Sequence, residues 1–189
     1  AVVLSAPNSF AVGDDVAAPR AGPEQVLVRV RATTVCGTDQ KILAGQFPGT
    51  RFPHIPGHEF AGTIETLGAA VSGLAVGDRV GVEVHVGCGR CARCLEGLYQ
   101  LCESYGRTET GHAHIGFTVP GGLAEYVAVP SKAVHRLPPS VDFEQGAFCD
   151  NIGIALYAVE RGHLAAGERV AVLGSGAFGA LAAAVARAL

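Results

Sequence analysis

Four cysteines, Cys88, Cys91, Cys94 and Cys102, lie within fifteen residues in the pattern C-x2-C-x2-C-x7-C. Four thiolates at this spacing can close a tetrahedral Zn²⁺ site with no open position. The loop that carries them, 86–104, is therefore expected to be a lobe shaped by its metal. Arg90, Arg93 and the loop amides are placed to favour the thiolate forms. A disulfide-closed loop is the alternative. The opening residues AVVLSAPNSFAV lack the basic and apolar regions of a secretory signal, and tight C-x2-C spacing suits a metal better. A closed four-thiolate site is structural, so chemistry must lie elsewhere.

The 189 residues, 49% of them hydrophobic, suffice for one sizeable core, or one domain and a piece of another. Up to about residue 148 the pattern is β structure broken by turns. Val26, Val28 and Val30 alternate with Leu27, Arg29 and Arg31, which predicts a half-buried strand. Further strands are expected at Gly62–Leu67, Arg79–Val84, Glu125–Val129 and Ala133–Leu137, punctuated by glycine and proline. The character then changes. Asp150-Asn151 can cap a helix to about Arg161, Arg169–Leu173 reads as a short apolar strand, and Ala177–Leu189 as an Ala-rich helix. The net charge of −3 offers no basic footprint, so no nucleic-acid partner is expected. The terminal apolar stretch is too short to span a bilayer, which leaves no membrane partner and a cytoplasmic setting as expectations.

Two further patterns bear on function. Gly174, Gly176 and Gly179 form G-x-G-x-x-G between the expected strand and helix, the context in which such glycines admit a tight turn, a pyrophosphate and close helix packing. An ordinary tight turn is the bland alternative. Separately, Cys36, His58 with Glu59, and Cys149-Asp150 come from three distant segments. One Cys, one His and one carboxylate could make a three-ligand zinc site with a position left for substrate. Singly, each has an ordinary role: a buried thiol, a core histidine, a helix cap. His112 and His114 read as an exposed loop pair, and His54, His85, His135 and His163 have no recognisable partner.

Taken together, Cys36-Gly-Thr-Asp39, Gly57-His-Glu-Phe-Ala-Gly62, Gly77-Asp-Arg-Val80, the four-cysteine lobe, Gly121-Gly-Leu-Ala-Glu-Tyr-Val127 and the final glycine motif carry a resemblance across the whole chain. The chain resembles the zinc-dependent medium-chain dehydrogenases, relatives of alcohol, polyol and threonine dehydrogenases. The resemblance implies a mainly β, α+β architecture. A GroES-like, partly open β-barrel with its structural-zinc lobe would span 1–148. An inter-domain helix and the first βα unit of a truncated Rossmann domain would span 149–189. It implies two Zn²⁺ ions, one structural and one catalytic, and NAD or NADP as cofactor. Cys36 and His58 look like ligands of the catalytic zinc, with Glu59 beside it. Asp150, 24 residues before Gly174, falls in register with the third ligand, and Cys149 is the neighbouring alternative. Asp39 resembles the carboxylate that orients the ligating histidine. Thr38 matches the hydroxyl that meets the substrate oxygen, making the set Cys36, Thr38, Asp39, His58 and Glu59.

The implied function is hydride transfer between NAD(P) and an alcohol, with a lean towards polyols, sugar alcohols or amino alcohols. A lyase or formaldehyde-type dehydrogenase on the same scaffold is a rival. A non-catalytic zinc-binding interaction module is another. Partners would be a small alcohol or ketone substrate and, for the full-length parent, further copies in a homo-oligomer. Two departures stand out. Lys41 occupies the place of a relay histidine and is either a poor relay, titrating near ~10.4 when free, or a surface charge. Complete members are also longer, so the 189-residue chain alone is expected to be inactive.

Overall fold

The alternating residues of the first half build strands, and the order in which they pair decides where the ligand-bearing turns meet. In the computed structural model, residues 1–165 and 167–189 are described. An antiparallel hairpin, β1 (Val2–Ala6) and β2 (Ser9–Val12), opens the chain. There follow β3 (Gln25–Thr33), α1 (Gly37–Leu43), β4 (Phe60–Leu67), β5 (Arg79–Val82), β6 (His85–Val86) and α2 (Ala92–Leu95). Next come β7 (Ala113–His114), β8 (Tyr126–Pro130), β9 (Val134–Arg136), α3 (Phe143–Ala147), α4 (Cys149–Arg161) and α5 (Ala177–Ala188).

The main sheet is antiparallel in the order β8-β3-β4-β5-β9 and does not close on itself. Its inner face carries Val26, Val28, Phe60, Ile64, Val80, Val82, Val127 and Val129, all buried in one core. Burial of such side chains contributes roughly 1.5–3 kcal/mol each, so period-two alternation in β3 fixes which face turns inward. The β6–β7 ribbon extends from this core with the cysteine lobe between its strands. α3 starts at a reciprocal Asp142–Gln145 capping box and lies on β3, β4 and β5. The result is the expected mainly β, partly open architecture.

Several local expectations change. Helix α4 begins at Cys149 with Phe148 before it, so Asp150 stands in the first turn and does not cap it. The chain enters α4 almost directly from α3, which removes the extended residue a side-chain cap needs. Among the described residues no strand forms at 169–173. A strand is defined by a hydrogen-bonded neighbour, and among the described residues none pairs with this segment. Val170, Leu173 and Phe178 are exposed, as are Ile154 and Tyr157 on α4. His112 is fully buried and His114 half-buried, paired with His85 across β6 and β7, where packing on Tyr105 and Phe117 replaces the expected loop. His54 and His135 also find partners, the carbonyl of Gly116 at 2.8 Å and Glu83 at 3.2 Å.

Candidate metal centres

Sulfur placement in the lobe follows from backbone turns. Cys91 precedes α2, which brings Cys94 round within one turn, while a 3-10 turn at Tyr99–Leu101 delivers Cys102. All four sulfurs lie within 4.8 Å of one another. The Cys88–Cys94 and Cys91–Cys102 separations are both 4.0 Å. A tetrahedron with Zn–S near 2.3 Å has S···S edges of about 3.8 Å, so the donors fit zinc. A disulfide would hold two sulfurs near 2.05 Å, and all six cysteines are free. Backbone amides of Cys88 and Ser104 donate to the Cys102 sulfur at 3.4 Å each. Amides of Arg90 and Cys91 hold the Cys88 thiol down at about 6, and those of Cys94 and Glu103 lower Cys91. Desolvation pushes Cys94 up to about 12. The Arg93 side chain pairs with Glu96 at 3.0 Å. The Tyr99 hydroxyl donates to Glu83 at 2.5 Å and ties the lobe to the end of β5.

The second cluster joins Cys36, His58 and Glu59, whose donor atoms lie within 4.8 Å of one another. Cys36 precedes α1, and Asp39 in the first turn of that helix accepts the Cys36 amide at 2.8 Å. The other Asp39 oxygen accepts the Gly57 amide at 3.3 Å. One buried carboxylate thus fastens both ligand-bearing segments. Gly57 has φ +96°, and a Cβ there would lie 2.5 Å from the Leu123 amide, so only glycine turns the chain into His58. Asp39 Oδ1 lies 3.4 Å from His58 Nδ1, an ion-pair distance without hydrogen-bond alignment, which leaves Nδ1 buried and unsatisfied. His58 Nε2 faces Glu59 Oε1 at 3.6 Å. Burial pulls the His58 pKa down, but the nearby Asp39 carboxylate, with Cys36 and Glu59, outweighs it and raises it to about 9. A cation would take the place of the proton this anionic pocket attracts, so the donors suit a metal ion.

Glu59 itself is clamped where β3 ends: the Thr34 amide donates to its carbonyl at 2.9 Å, the Thr33 hydroxyl to the same carbonyl at 3.2 Å, and the Thr34 hydroxyl to Glu59 Oε2. Nothing in the local pattern singled out Thr34, because its partner is 25 residues away. The Phe117 ring packs on His58 at 4.5 Å and stacks on His114 at 3.8 Å, a wall also missing from the sequence reading. Thr38 sits beside the cluster, 3.6 Å from the Cys36 sulfur. Lys41 is exposed on α1.

Asp150 is not among the three convergent donors. Its carboxyl feels the charges of His58 and Glu59. Desolvation raises its carboxyl to about 6, opposed by the charge of His58 and reinforced by those of Glu59 and Glu83. The Cys149 thiol is directed instead at the Val82 carbonyl, 3.6 Å away. Desolvation pushes it up to about 11.

The glycine motif forms a separate feature. Gly174 has φ +115°, Gly176 precedes α5 with open space where a Cβ would be, and a Cβ on Gly179 would lie 2.0 Å from the Gly174 carbonyl. The loop therefore leaves backbone bare at a helix N-terminus, a surface suited to a pyrophosphate.

Residues 22–139 match the alcohol dehydrogenase GroES-like domain. L-threonine 3-dehydrogenase of Pyrococcus furiosus is 36% identical over 191 aligned positions, covering 100% of this chain and 53% of its own length. Probable D-xylulose reductase A of Aspergillus fumigatus is 36% identical over 170, covering 88% of this chain and 46% of its own. Among solved structures, a cobalt- and zinc-bound thermostable alcohol dehydrogenase from Pyrobaculum aerophilum superposes with a TM-score of 0.85 at 34% identity, over 100% of this chain and 56% of that one. A Sinorhizobium meliloti protein classed as a zinc-binding dehydrogenase and bound to NADP gives 0.89 at 37%, over 100% and 52%. The chain spans about half the length of these relatives.

Proposed function

The chain belongs to the alcohol dehydrogenase GroES-like domain family, and on that premise we propose that it carries the metal-binding part of an NAD(P)-dependent dehydrogenase acting on a small alcohol or ketone. The observation that carries this reading is the convergence of Cys36, His58 and Glu59 at the end of the sheet, separate from the four-sulfur lobe. Cys36, His58 and Glu59, with Asp150, would hold a zinc ion, and Cys88, Cys91, Cys94 and Cys102 a second. Zinc in the mixed site would supply Lewis acidity that makes a hydroxyl easier to deprotonate, and a nicotinamide would accept the hydride.

The chain's own residues do the remaining work. Asp39 holds the Cys36 loop and the Gly57 turn before His58 in one geometry, with a carboxylate oxygen 3.4 Å from the His58 ring. Phe117 covers one face of His58 and keeps water from it. The Thr38 hydroxyl, 3.6 Å from the Cys36 sulfur, would take a substrate proton and pass it to solvent. Lys41, exposed on α1, is read as a surface charge. Gly174, Gly176 and Gly179 would receive the dinucleotide pyrophosphate. We divide the chain into a GroES-like domain at 1–148 and the opening of a Rossmann domain at 149–189. The curated relatives carry substrates with a second polar group in their names, threonine and xylulose, which supports a polyol or amino alcohol here.

The adenosine and nicotinamide need walls beyond the bare loop, and binding energy from those parts is what positions a nicotinamide for reaction. The 189-residue chain should therefore bind NAD(H) weakly and oxidise alcohols at background rates. A chain of the relatives' full length containing these residues should turn over, and Cys36→Ser or His58→Ala should abolish that turnover. Steady turnover by the 189 residues alone, or by the longer chain without Cys36, would overturn the proposal.

A further inference from the structure

Glu59 is a buried carboxylate whose two oxygens face different ways. Oε1 looks at His58 Nε2, 3.6 Å away, while Oε2 accepts the Thr34 hydroxyl. Among the described residues, that hydroxyl is the hydrogen-bond donor to Oε2. Thr34 reaches it from the strand side because its own amide is already fixed to the Glu59 carbonyl at 2.9 Å, with the Thr33 hydroxyl on the same carbonyl. Two successive threonines therefore grip the residue at main chain and side chain alike. One carboxylate oxygen is occupied, and the other is left towards the metal cluster.

We infer that Thr34 is a positioning residue which restricts Glu59 to a single oxygen at the mixed metal site and thereby sets how tightly that site holds its ion. This rests on the metal-site reading above. The physical reason is that a freed carboxylate has two equivalent oxygens and a rotatable stem. Without the hydroxyl it can offer both oxygens, or swing away, and each arrangement presents a different donor set. Partners of a ligating carboxylate typically change metal affinity by about 10–100-fold when lost. The Thr34 amide and Thr33 hydroxyl bonds to the Glu59 carbonyl survive in Thr34→Val, which keeps the shape and the β-branch and removes only the Thr34 hydroxyl.

The test uses the 189-residue chain and Co²⁺ as probe, with the Cys36→Ser spectrum subtracted to remove the signal of the four-sulfur lobe. Thr34→Val should weaken Co²⁺ binding at the mixed site about tenfold and change its visible ligand-field bands. Thr34→Ser, which keeps a hydroxyl, should restore both. In a Glu59→Ala background, Thr34→Val should have no additional effect on affinity. Unchanged or tighter binding with an unchanged spectrum overturns the inference, as does an equal loss in the Glu59→Ala background. If Cys36→Ser leaves the mixed-site Co²⁺ signal intact, the site reading itself falls, a result distinguishable from failure of Thr34 alone.

Discussion

The four-sulfur lobe and the Cys36–His58–Glu59 cluster both gather metal-binding donors, but they do so by opposite means. The lobe draws its ligands from fifteen consecutive residues, and α2 within it has no buried residue. Its shape is expected to depend on an ion, with the Tyr99–Glu83 hydrogen bond as one tie to the sheet. The mixed cluster draws on segments more than twenty residues apart, held by Asp39, by the left-handed turn at Gly57 and by Thr33 and Thr34 where β3 ends. There the core assembles the donors, independently of any metal that binds them. A local site should thus fail structurally when a ligand is lost, whereas a tertiary site should fail functionally.

The largest expected effect tests that contrast directly. Cys94→Ser should remove the lobe metal and cost several kcal/mol, since structural zinc contributes folding energy outright. At about 2–4 °C per kcal/mol for a chain of this size, the melting temperature should fall by roughly 10 °C. Cys36→Ser should leave the melting temperature within a few degrees while removing one equivalent of metal. Equal melting temperatures for Cys94→Ser and the unmodified chain would break the comparison.

Metal content sharpens it. Purified protein should contain two Zn²⁺ per chain, and a chelator should strip the mixed site first because its donors are partly oxygen and nitrogen. Finding one ion, or loss of both at the same rate, would mean the two centres are not the distinct kinds described.

A smaller effect concerns Asp150. Asp150→Ala should lower occupancy of that site, whereas Cys149→Ala should leave it close to intact, because the Cys149 thiol is turned to the Val82 carbonyl. The reverse ranking, read by metal analysis of both variants, would shift the third ligand by one position.

The smallest effect separates the wall from the ligands. Burial, with His85, His112 and His58 nearby, lowers the His114 pKa to about 3. Unfolded, it titrates near ~6.5. Between those values the unfolded chain holds a proton that the folded chain refuses, so stability falls as pH drops through that window. His114→Phe should flatten this part of the stability–pH curve in denaturant titrations. An unchanged slope would show that His114 is not the group responsible.

Much of this protein was determined by residues close together in sequence. The C-x2-C-x2-C-x7-C spacing specified its site because one turn of α2 and one 3-10 turn suffice to converge the sulfurs. The alternation in β3 specified which face is buried, since a strand sends successive side chains to opposite sides. Gly174 and Gly179 declared the tight turn before α5. Tertiary structure decided the rest. Arg169–Leu173 has the composition of a strand, yet strand structure is a property of pairs, and no neighbour stands beside it among the described residues. His112 and His114 carry no local mark of burial and become buried only because β6 and β7 fold the ribbon back onto Tyr105 and Phe117. Thr34 meets Glu59 only through the register of β3 on β4, which brings Thr33 opposite Phe60. Asp39 likewise binds two distant turns with one carboxylate. Sequence fixes which donors exist and how nearby ones turn; long-range pairing alone sets the distances between segments that the chain itself keeps apart.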